Sequence, residues 1–418
     1  MTAAVEGREP GARVACCIAG GGPAGMMLGL LLARAGVRVE VLEKHADFLR
    51  DFRGDTIHPS TLEVMHELGL LEEFLALPHQ KVPQLVAQVG ALMIPIADFS
   101  RLPTRARFIA FMPQWDFLNF LAEHARRFPG FSLRMRAEAT DLVEASGRVV
   151  GVRARTPEGE LEVRADLVVA ADGRSSVLRA RAGLPVEELG APMDVLWFRL
   201  SRRADDPVAS MGRFDVGRIF VLLNRGEHWQ CGYVIPKGTL DEIRGRGLDA
   251  FRDSVVELAP FAGDRVQAEI ASWDDVKLLT VRVDRLTRWS RPGLLCIGDA
   301  AHAMSPVGGV GINLAIQDAV AAANLLAGPL REGRLAPEDL ERVQRRREWP
   351  TRVTQRLQLF MQRAVISRTL ASRGPVSPPR ALRLLGRCAI LRRIPGRLVG
   401  MGVRPEHVRT PAAPPPSP

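Results

Sequence analysis

The chain contains few residues of several types. It has a single tyrosine, and aromatic residues make up only 6% of its 418 positions. It has four lysines, so arginine supplies 53 of its 57 basic residues. Its five cysteines lack metal-ligand spacing, and three of them lie inside apolar segments: Cys16, Cys17 and Cys296. We therefore expect no metal site and no disulfide framework, but small buried cysteine side chains in a reducing compartment.

Long apolar runs are missing as well. No segment approaches the ~20 residues of a membrane-spanning helix, and the first ten residues lack the apolar core of a signal peptide. Hydrophobic residues make up 46% of the chain and charged residues 25%, which is ordinary for a globular protein. We therefore expect a cytoplasmic protein of two or three domains.

Basic residues are concentrated towards the C-terminus. The net charge is +10, and residues 341–409 contain 17 arginines against three glutamates. One interpretation is a surface that attracts an anionic partner or the periphery of an anionic membrane. The other, which we favour, is a set of solvated helix faces whose arginine stems pack on the protein. Nucleic-acid binding is disfavoured, because no aromatic residues alternate with the arginines and no known module is present.

A glycine-rich turn near the N-terminus carries the strongest functional signal. Residues 13–19 have the character of a buried strand, and Gly20, Gly22 and Gly25 follow before an apolar helix. In this spacing the first glycine permits a tight turn, the second lets a pyrophosphate approach the backbone, and the third lets helix and strand pack closely. A second strand ends in Glu43, where a carboxylate can accept the hydroxyls of an adenosine ribose.

A second glycine-rich segment lies far along the chain. Residues 293–302, GlyLeuLeuCysIleGlyAspAlaAlaHis, form another apolar strand that breaks into small residues. Residues 305–313, SerProValGlyGlyValGlyIleAsn, then open a long alanine-rich helix. The two segments together indicate one long cofactor, bound at its adenine end by the first and at its reactive end by the second. FAD fits this description.

The distribution of strand-like segments along the rest of the chain predicts its domain organisation. Residues 185–285 differ from their surroundings in containing scattered strand-like pieces, and they indicate a second, sheet-containing domain. We predict an α/β fold: a Rossmann-like FAD-binding domain (GR2-type), an interleaved β-sheet substrate domain and C-terminal helices. The predicted boundaries are 1–75, 105–184 and 286–335 for the FAD domain, 76–104 and 185–285 for the substrate domain, 336–410 for the arginine-rich helices, and 411–418 for a disordered proline-rich tail.

Three motifs in a fixed order then point to a family. They are GlyGlyGlyProAlaGly at 20–25, AlaAspGlyArgSerSer at 171–176, and GlyAspAlaAlaHis at 298–302 with residues 306–313 behind it. With these motifs the chain resembles the para-hydroxybenzoate hydroxylase family of FAD-dependent monooxygenases, including its ubiquinone-pathway and antibiotic-tailoring members. The resemblance spans roughly residues 12–330, and three ordered motifs are far more specific than one.

The resemblance implies roles for individual residues. Arg53 would reach the FAD pyrophosphate, Gln114 the ribityl and phosphate portion, and Asp299 a ribityl hydroxyl. Residues 172–173 would serve both FAD and the incoming NAD(P)H, and the backbone N–H groups of 311–313 would face the pyrimidine edge of the flavin. Helix capping is the alternative for both aspartates. The expected cofactor-binding residues are Gly20, Gly22, Pro23, Ala24, Gly25, Glu43, Lys44, Arg53, Gln114, Asp172, Gly173, Asp299, Gly311, Ile312 and Asn313.

Few residues are candidates for the chemistry itself. The resemblance puts Pro306 on the side of the flavin where oxygen is activated. The tyrosine relay of para-hydroxybenzoate hydroxylase cannot be carried over, because Tyr233 is the single tyrosine. His58 and His302 are the titratable side chains close in sequence to the cofactor segments, and each has either a structural role or one in proton transfer.

The reaction implied by the resemblance is a monooxygenation. NAD(P)H reduces FAD, O2 adds to give a flavin C4a-hydroperoxide, and one oxygen atom passes to an aromatic, quinone-like, polyketide or isoprenoid substrate. A flavin halogenase or a prenyl-chain reductase is the alternative, although the halogenase signature Gly-x-Trp-x-Trp-x-Ile-Pro matches only at Ile235 and Pro236. A flavin-bound scaffold or sensor without turnover is a third interpretation.

Overall fold

A computed structural model describes residues 13–49, 56–90, 92–208, 210–374, 378 and 380–413. Arg53, predicted to contact the pyrophosphate, lies outside the described residues. The strands are β1 Val14–Ala19, β2 Val39–Glu43, β3 Thr56–Ile57, β4 Gln80–Val82, β5 Gln84–Val89, β6 Leu92–Asp98, β7 Ile109–Phe111, β8 Phe131–Met135, β9 Glu138–Ala145, β10 Arg148–Thr156, β11 Gly159–Ala170, β12 Val186–Glu188, β13 Met193–Ser201, β14 Met211–Asp215, β15 Arg218–Asn224, β16 His228–Pro236, β17 Lys277–Leu279, β18 Asp284–Leu286, β19 Ser290–Arg291 and β20 Leu294–Cys296.

Helices connect and cover these strands. The α-helices are α1 Pro23–Arg34, α2 Pro59–Glu67, α3 Leu71–Leu75, α4 Gln114–Ala125, α5 Val177–Arg181, α6 Leu240–Gly245, α7 Leu248–Leu258, α8 Gly263–Glu269, α9 Val310–Arg331, α10 Pro337–Met361, α11 Ser367–Leu370, α12 Arg380–Arg387 and α13 Arg393–Gly400. Short 3-10 turns form at Gly298–Ala300 and Val307–Gly309, and a π-helical turn, Gln362–Ile366, joins α10 to α11.

A mainly parallel sheet forms the centre of the first core. Its strand order is β19-β20-β11-β1-β2-β8, and β1, β2, β8, β11 and β20 run parallel to their neighbours along this path. Helices α1 and α9 pack against each other and on this sheet. The register sets Ala19 beside Ala170, and Ala170 beside Cys296. The three sequence motifs therefore begin at the same edge of the sheet.

A second sheet has the order β17-β13-β16-β15-β14-β5-β6. Its strands come from residues 84–98 and 193–279, so the chain leaves the first sheet and returns to it twice. One face packs its alternate side chains, among them Phe220 and Tyr233, against α7 and α8. The opposite face carries Val195 and Val234 and packs against Val307, which follows the third motif. This second face therefore points towards the loop that the third motif builds.

The C-terminal part of the chain packs on both sheets. Helix α10 lies against α9, whereas α12 and α13 lie on β6. Residues 411–413, predicted to belong to a disordered tail, return to α1: the Ala413 N–H donates to the Arg34 carbonyl at 2.8 Å. The Arg34 side chain in turn donates to the Thr410 carbonyl at 2.8 Å. One backbone hydrogen bond thus links residue 413 to α1, and the disorder of the tail 411–418 stays a prediction, since residues 414–418 lie outside the described part of the chain.

One described helix is long and apolar enough to cross a membrane. It covers Val307–Arg331, and 72% of its most apolar window is buried inside the protein. Helix α9 contributes many buried residues to the first core. Its apolar character is therefore explained by packing between α1, α10 and the sheet.

Candidate cofactor site

The first glycine turn shows three distinct steric situations. Gly20 has φ +109°, and a Cβ there would lie 2.3 Å from the Ala171 carbonyl oxygen. A Cβ on Gly25 would lie 1.9 Å from the Gly20 oxygen, whereas one on Gly22 would meet nothing within 4 Å. Two glycines are thus required by packing, and the third borders open space at the N-terminus of α1. Backbone N–H groups facing open space at a helix N-terminus suit a phosphate.

Glu43 ends β2 and fixes the turn from the side. It is buried, its Oε2 accepts the Gly21 N–H at 2.9 Å, and its Oε1 accepts the His45 N–H at 3.1 Å. Each carboxylate oxygen can accept a further hydrogen bond. The position is therefore compatible with the predicted ribose contact, and the neighbouring Lys44 is exposed beside it.

The structure brings the three motifs into direct contact. Gly20 touches the backbone of residues 171–172 from the second motif. A Cβ on Gly298 would lie 3.1 Å from the Cβ of Ala24, so the third motif lies against the first turn of α1, which begins at Pro23. These contacts join segments nearly 300 residues apart into one surface.

The two motif aspartates have different environments. Asp172 accepts the Ser176 hydroxyl at 2.5 Å and the Leu178 N–H at 3.2 Å, so it caps α5. Burial raises the pKa of Asp172, and these hydrogen bonds oppose the rise. Asp299 lies in the turn Gly298–Ala300 with its side chain 30% exposed, and Arg174 Nη2 lies 3.4 Å from its Oδ2. The capping alternative thus describes Asp172, whereas Asp299 remains accessible to a ligand hydroxyl.

Around these residues lie two further predicted positions. Gly173 has φ +87°, and a Cβ there would meet nothing within 4 Å. Gln114 is the first residue of α4, half-buried, at the positive end of the helix dipole. Gly173 therefore borders space that a ligand can occupy, and Gln114 lies at a helix N-terminus.

A glycine loop precedes α9 at the other end of the site. Pro306 begins the turn Val307–Gly309, in which Gly308 and Gly309 have φ +80° and +62°. Helix α9 begins at Val310 with Gly309 as its N-cap, so the N–H groups of residues 310–312 lack acceptors within α9. A Cβ on Gly311 would meet only the Met304 Cβ, at 3.8 Å, and Ile312 is partly exposed. The predicted helix N-terminus is present and open.

Asn313 anchors this loop through its side chain. Its Oδ1 accepts the His58 N–H at 2.9 Å and the Thr61 hydroxyl at 2.7 Å, and its Nδ2 donates to the Thr56 carbonyl at 3.1 Å. The Thr56 hydroxyl donates to the Gly309 carbonyl at 3.0 Å. The Asn313 side-chain amide is therefore occupied by protein groups, and its backbone N–H has the carbonyl of the N-cap residue Gly309 as its intrahelical acceptor. Of the three backbone donors predicted for a cofactor, Gly311 and Ile312 remain.

His58 is fully buried at the start of α2. Its Nδ1 lies 2.7 Å from the Val399 carbonyl, which makes this nitrogen the proton-bearing one in the neutral ring. Burial lowers the pKa of His58 to about 4, although the Val399 hydrogen bond opposes the shift. The ring is therefore neutral near pH 7, and its contacts describe a structural role.

His302 faces a buried ionic cluster. Its Nε2 lies 2.6 Å from Asp318 Oδ2, and Arg347 Nε donates to Asp318 Oδ1 at 2.9 Å. Asp318 also accepts the Gly298 N–H at 3.1 Å. Burial disfavours the Asp318 carboxylate, but His302 and Arg347 outweigh this and lower its pKa. His302 thus holds the turn of its own motif, and the contacts favour a positioning role over proton transfer.

Some residues of this region carry no sequence prediction. Arg174 pairs with Asp299, and the glutamines Gln355, Gln358 and Gln362 bind the segment 303–307 from α10. Arg174 belongs to the second motif, so its place in the sequence could have indicated that it lies near the cofactor site. The glutamines recur at spacings of three and four, which puts them on one helix face, but nothing local identifies what that face meets.

Fold and site together define a class of protein. A Rossmann-type sheet bears a dinucleotide turn, an acidic residue after its second strand, and a second helix N-terminus at the same edge. The open space at Gly22 and Gly311, and the accessible Asp299, fit a pyrophosphate, a flavin edge and a ribityl chain. These features define an FAD-dependent oxidoreductase.

The family model described as "FAD binding domain" matches residues 13–356, and the chain belongs to this family. A 6-methylpretetramide 4-monooxygenase of Streptomyces rimosus is 35% identical over 393 residues, covering 92% of both chains. The solved structure of OxyS anhydrotetracycline hydroxylase from Streptomyces rimosus matches with a TM-score of 0.72 and 25% identity, covering 94% of this chain and 77% of that one.

A further relative carries a different name. A dialkyldecalin synthase of Streptomyces rugosporus is 28% identical over 314 residues, and the match spans 72% of this chain and 63% of that protein. The identity and the coverage both favour the oxygenases. The chain is an FAD-dependent monooxygenase, and the predicted resemblance to para-hydroxybenzoate hydroxylase-like proteins and the α/β fold are confirmed.

Proposed function

We propose that this monooxygenase hydroxylates a polycyclic aromatic polyketide and uses NAD(P)H as the reductant. The observation that carries the proposal is the match to a 6-methylpretetramide 4-monooxygenase over 92% of both chains. The anhydrotetracycline hydroxylase match supports the same substrate class. NAD(P)H follows from the reaction, since one oxygen atom of O2 leaves as water and two electrons must be supplied.

The inner face of the second sheet supports a large, flat, apolar substrate. Val195, Ile219 and Val234 are neighbours on adjacent strands of this face. A Cβ on Gly232 would lie 2.9 Å from the ring of Trp197, so the indole lies flat across the strand. Because Val195, Ile219 and Val234 are themselves buried beside Ile366 and Val307, a fused ring system would bind at the partly buried residues of the same cluster, Trp197, Phe214 and Leu279.

Bound FAD supplies the electron transfer and the activation of O2, and the chain supplies binding, orientation and exclusion of water. Glu43 and the turn at 20–25 would hold the adenosine and pyrophosphate portion, and Asp299 the ribityl chain. The N–H groups of Gly311 and Ile312 would stabilise negative charge on the reduced ring. Pro306 would border the side where the substrate lies, next to the second sheet.

A halogenase is not favoured. The three residues at the aligned signature positions, Trp229, Cys231 and Tyr233, are buried against α7 and α8 on the outer face of the second sheet. The relatives above are named as oxygenases and a synthase.

Two measurements test the proposed function. The purified protein should release FAD rather than FMN on denaturation, because the turn at 20–25 and Glu43 are adenosine-side features. With candidate anthracene- or tetracene-type polyketides and labelled O2, the product should gain one labelled oxygen atom at the expense of one NAD(P)H. Conversion without O2 uptake would instead support a synthase-type reaction, and flavin binding without any turnover would support a scaffold.

Reduction of the flavin should also depend on the substrate. Premature reduction wastes NAD(P)H as hydrogen peroxide, so the reaction is best delayed until the pocket is filled and dry. In stopped-flow experiments we expect flavin reduction by NAD(P)H to accelerate when the substrate binds. Equal rates with and without substrate would argue against this gating.

A peripheral membrane contact is a further proposal, supported by the composition of the C-terminal surface. Leu384, Ile390 and Ile394 are 55%, 66% and 60% exposed on and between α12 and α13, next to several arginines. Apolar and basic side chains in one surface suit anionic lipid. Cosedimentation with phosphatidylserine vesicles but not with phosphatidylcholine vesicles is the expected result, and equal sedimentation with both would reject it.

A further inference from the structure

Three glutamines form a row on the last long helix. Gln355, Gln358 and Gln362 lie at spacings of three and four residues, and all three are buried, with exposures of 0%, 5% and 0%. Such spacings put side chains on one face of a helix. A buried amide without hydrogen-bond partners destabilises the fold, so three buried amides in a row indicate specific partners.

The row binds the backbone that leads into the glycine loop. Gln358 Nε2 donates to the carbonyls of Ser305 and Val307, both at 2.9 Å, and its Oε1 accepts the Ser305 N–H at 3.2 Å. Gln355 Nε2 donates to the Ala303 carbonyl at 3.2 Å. Side chains of α10 thus supply hydrogen-bond partners for the backbone of residues 305 and 307, and they add to the bond that the Ala303 carbonyl accepts from the Asp284 N–H.

Gln362 completes the row through a side chain. Its Nε2 donates to the Ser305 hydroxyl at 2.5 Å, and this hydroxyl accepts the Val307 N–H at 3.3 Å. Gln362 is also the first residue of the π-helical turn Gln362–Ile366. Insertions of this kind inside helices often occur at functional sites.

Gly308 and Gly309, which follow the bound segment directly, both have positive φ. Glycine restricts its own backbone less than any other residue, so the loop has to be held from its two ends. Asn313 holds one end through Thr56 and His58, and Gln358 holds the other. The amide row therefore determines the direction in which the loop enters α9.

The same helical segment reaches the substrate-facing sheet. Ile366, at the end of the π-helical turn, packs with Val195 and Val234 on its inner face. The Ser372 hydroxyl, just after α11, accepts the Gly217 N–H at 3.0 Å between β14 and β15. The segment from α10 to Ser372 thus contacts both the glycine loop and the second sheet.

We propose that Gln358, supported by Gln355 and Gln362, is a positioning residue that sets the geometry of the flavin-facing loop. The proposal rests on the function proposed above, since it takes the N-terminus of α9 as the flavin end of the site. Loss of the Gln358 amide would free the carbonyls of residues 305 and 307 and let the two glycines move. The flavin would then lose part of its fixed hydrogen-bonding environment, without loss of any residue that touches it.

Gln344 provides a matched control on the same helix. Its Oε1 accepts the Trp289 N–H and its Nε2 donates to the Thr287 carbonyl, both at 2.9 Å, so it also binds the backbone of a distant segment. That segment is not part of the loop. Gln358→Met and Gln344→Met therefore remove the same chemistry at two places.

The experiment compares these variants by FAD titration of the apoprotein and by the reduction potential and visible spectrum of bound flavin under dithionite. Gln358→Met should weaken FAD binding about five- to tenfold and shift the potential. Gln344→Met should change FAD affinity by less than about twofold and leave the spectrum unchanged, even if both lower the melting temperature. Equal effects of the two variants on FAD affinity and potential would overturn the proposal.

A second set of variants covers the case in which Gln358→Met does not fold. Ser305→Ala and Gln362→Met each remove one side of the hydroxyl–amide contact, and the double variant should weaken FAD binding no more than either alone. Additive effects, or none, would overturn the role of the row. If the unaltered protein binds no FAD, the proposed function fails instead, so the two failures are distinguishable.

Discussion

The two loops of the cofactor site are held in opposite ways. The adenosine-side turn at 20–25 is fixed by steric contact between backbones, with Gly25 against Gly20 and Gly20 against Ala171. The flavin-side loop at 303–313 is fixed by side-chain amides and hydroxyls that arrive from α2 and α10. In the turn at 20–25, neither Gly20 nor Gly25 has room for a side chain. The loop at 303–313 can lose its hydrogen bonds one at a time, so single substitutions can change its geometry in small steps.

The largest expected effect comes from breaking the steric design. Gly25→Ala would set a methyl group 1.9 Å from a backbone oxygen, and we expect it to lower the free energy of unfolding by at least about 3 kcal/mol or to prevent folding. Gly22→Ala meets nothing within 4 Å and should leave the unfolding of the apoprotein unchanged. It should nevertheless weaken FAD binding, because the methyl group fills space needed by the pyrophosphate. Urea unfolding and FAD titration of both variants measure this, and similar behaviour of the two would contradict the comparison.

The next effect concerns the buried ions behind the flavin-side loop. Asp318→Asn removes the nearer of the two buried carboxylates beside Arg347 and leaves Glu406 at 3.5 Å, so we expect a loss of up to about 3–5 kcal/mol, the cost of breaking a buried pair. Because folding lowers the pKa of Asp318, its contribution is present above the unfolded value of about 3.9 and is lost as the pH falls further. Denaturant unfolding at pH 7 and at pH 3 should show a smaller difference between variant and parent at pH 3. An undiminished difference would show that packing, not charge, is responsible.

His58 supplies a pH test of the same loop. Its pKa of about 4 lies below the ordinary value of about 6.5, so the unfolded chain binds a proton that the folded chain does not. Stability should therefore fall by up to about 3 kcal/mol as the pH drops from about 6.5 to 4. His58→Asn, which can keep a donor towards Val399, should flatten this slope, whereas His66→Asn at an exposed position should not. Parallel slopes for all three proteins would refute the assignment.

The smallest expected effects separate the two motif aspartates. Asp299→Ala should weaken FAD binding about tenfold or more, as expected for a lost charge-assisted hydrogen bond of about 1.5–3 kcal/mol, with little change in apoprotein stability. Asp172→Ala removes an acceptor for the Leu178 N–H and for the hydroxyl of the N-cap residue Ser176, and it should cost about 0.5–2 kcal/mol of stability. Isothermal FAD titration measures the effect of the Asp299 variant on binding, and thermal unfolding measures the effect of the Asp172 variant on stability. Unchanged FAD affinity in the Asp299 variant would assign that residue to its ion pair with Arg174.

Sequence reasoning works well where the structure is local and less well where it is not. The roles of Gly20, Gly22 and Gly25 follow from spacing alone, because strand, turn and helix are consecutive in the chain. The sequence predicts the start of the alanine-rich helix at Asn313, and helix α9 begins three residues earlier, at Val310, because this segment too is local in the chain. The partner of His302 could not be predicted, since Asp318 is one of many polar residues in an alanine-rich helix, and Arg347 comes from another helix.

The glutamine row shows what the sequence alone does not predict, namely which helix face is buried and what it contacts. A row of amides at helical spacing is visible in the sequence, but a solvated face and a buried one look alike until the tertiary neighbours are known. The proline-rich end of the chain is a related case: composition favours disorder from residue 411, and the bond from the Ala413 N–H to the Arg34 carbonyl cannot be predicted from composition.

The route of the C-terminal segment has a consequence for biosynthesis. The buried charge cluster of the nucleotide-binding core includes Glu406, whose Oε1 lies 3.5 Å from Arg347 Nη1, and its N–H is bonded to Gln317 of α9. A ribosome that has translated all three glycine motifs has therefore not yet made every residue on which the core around α9 depends. This domain should therefore reach its final stability only after translation of residue 406.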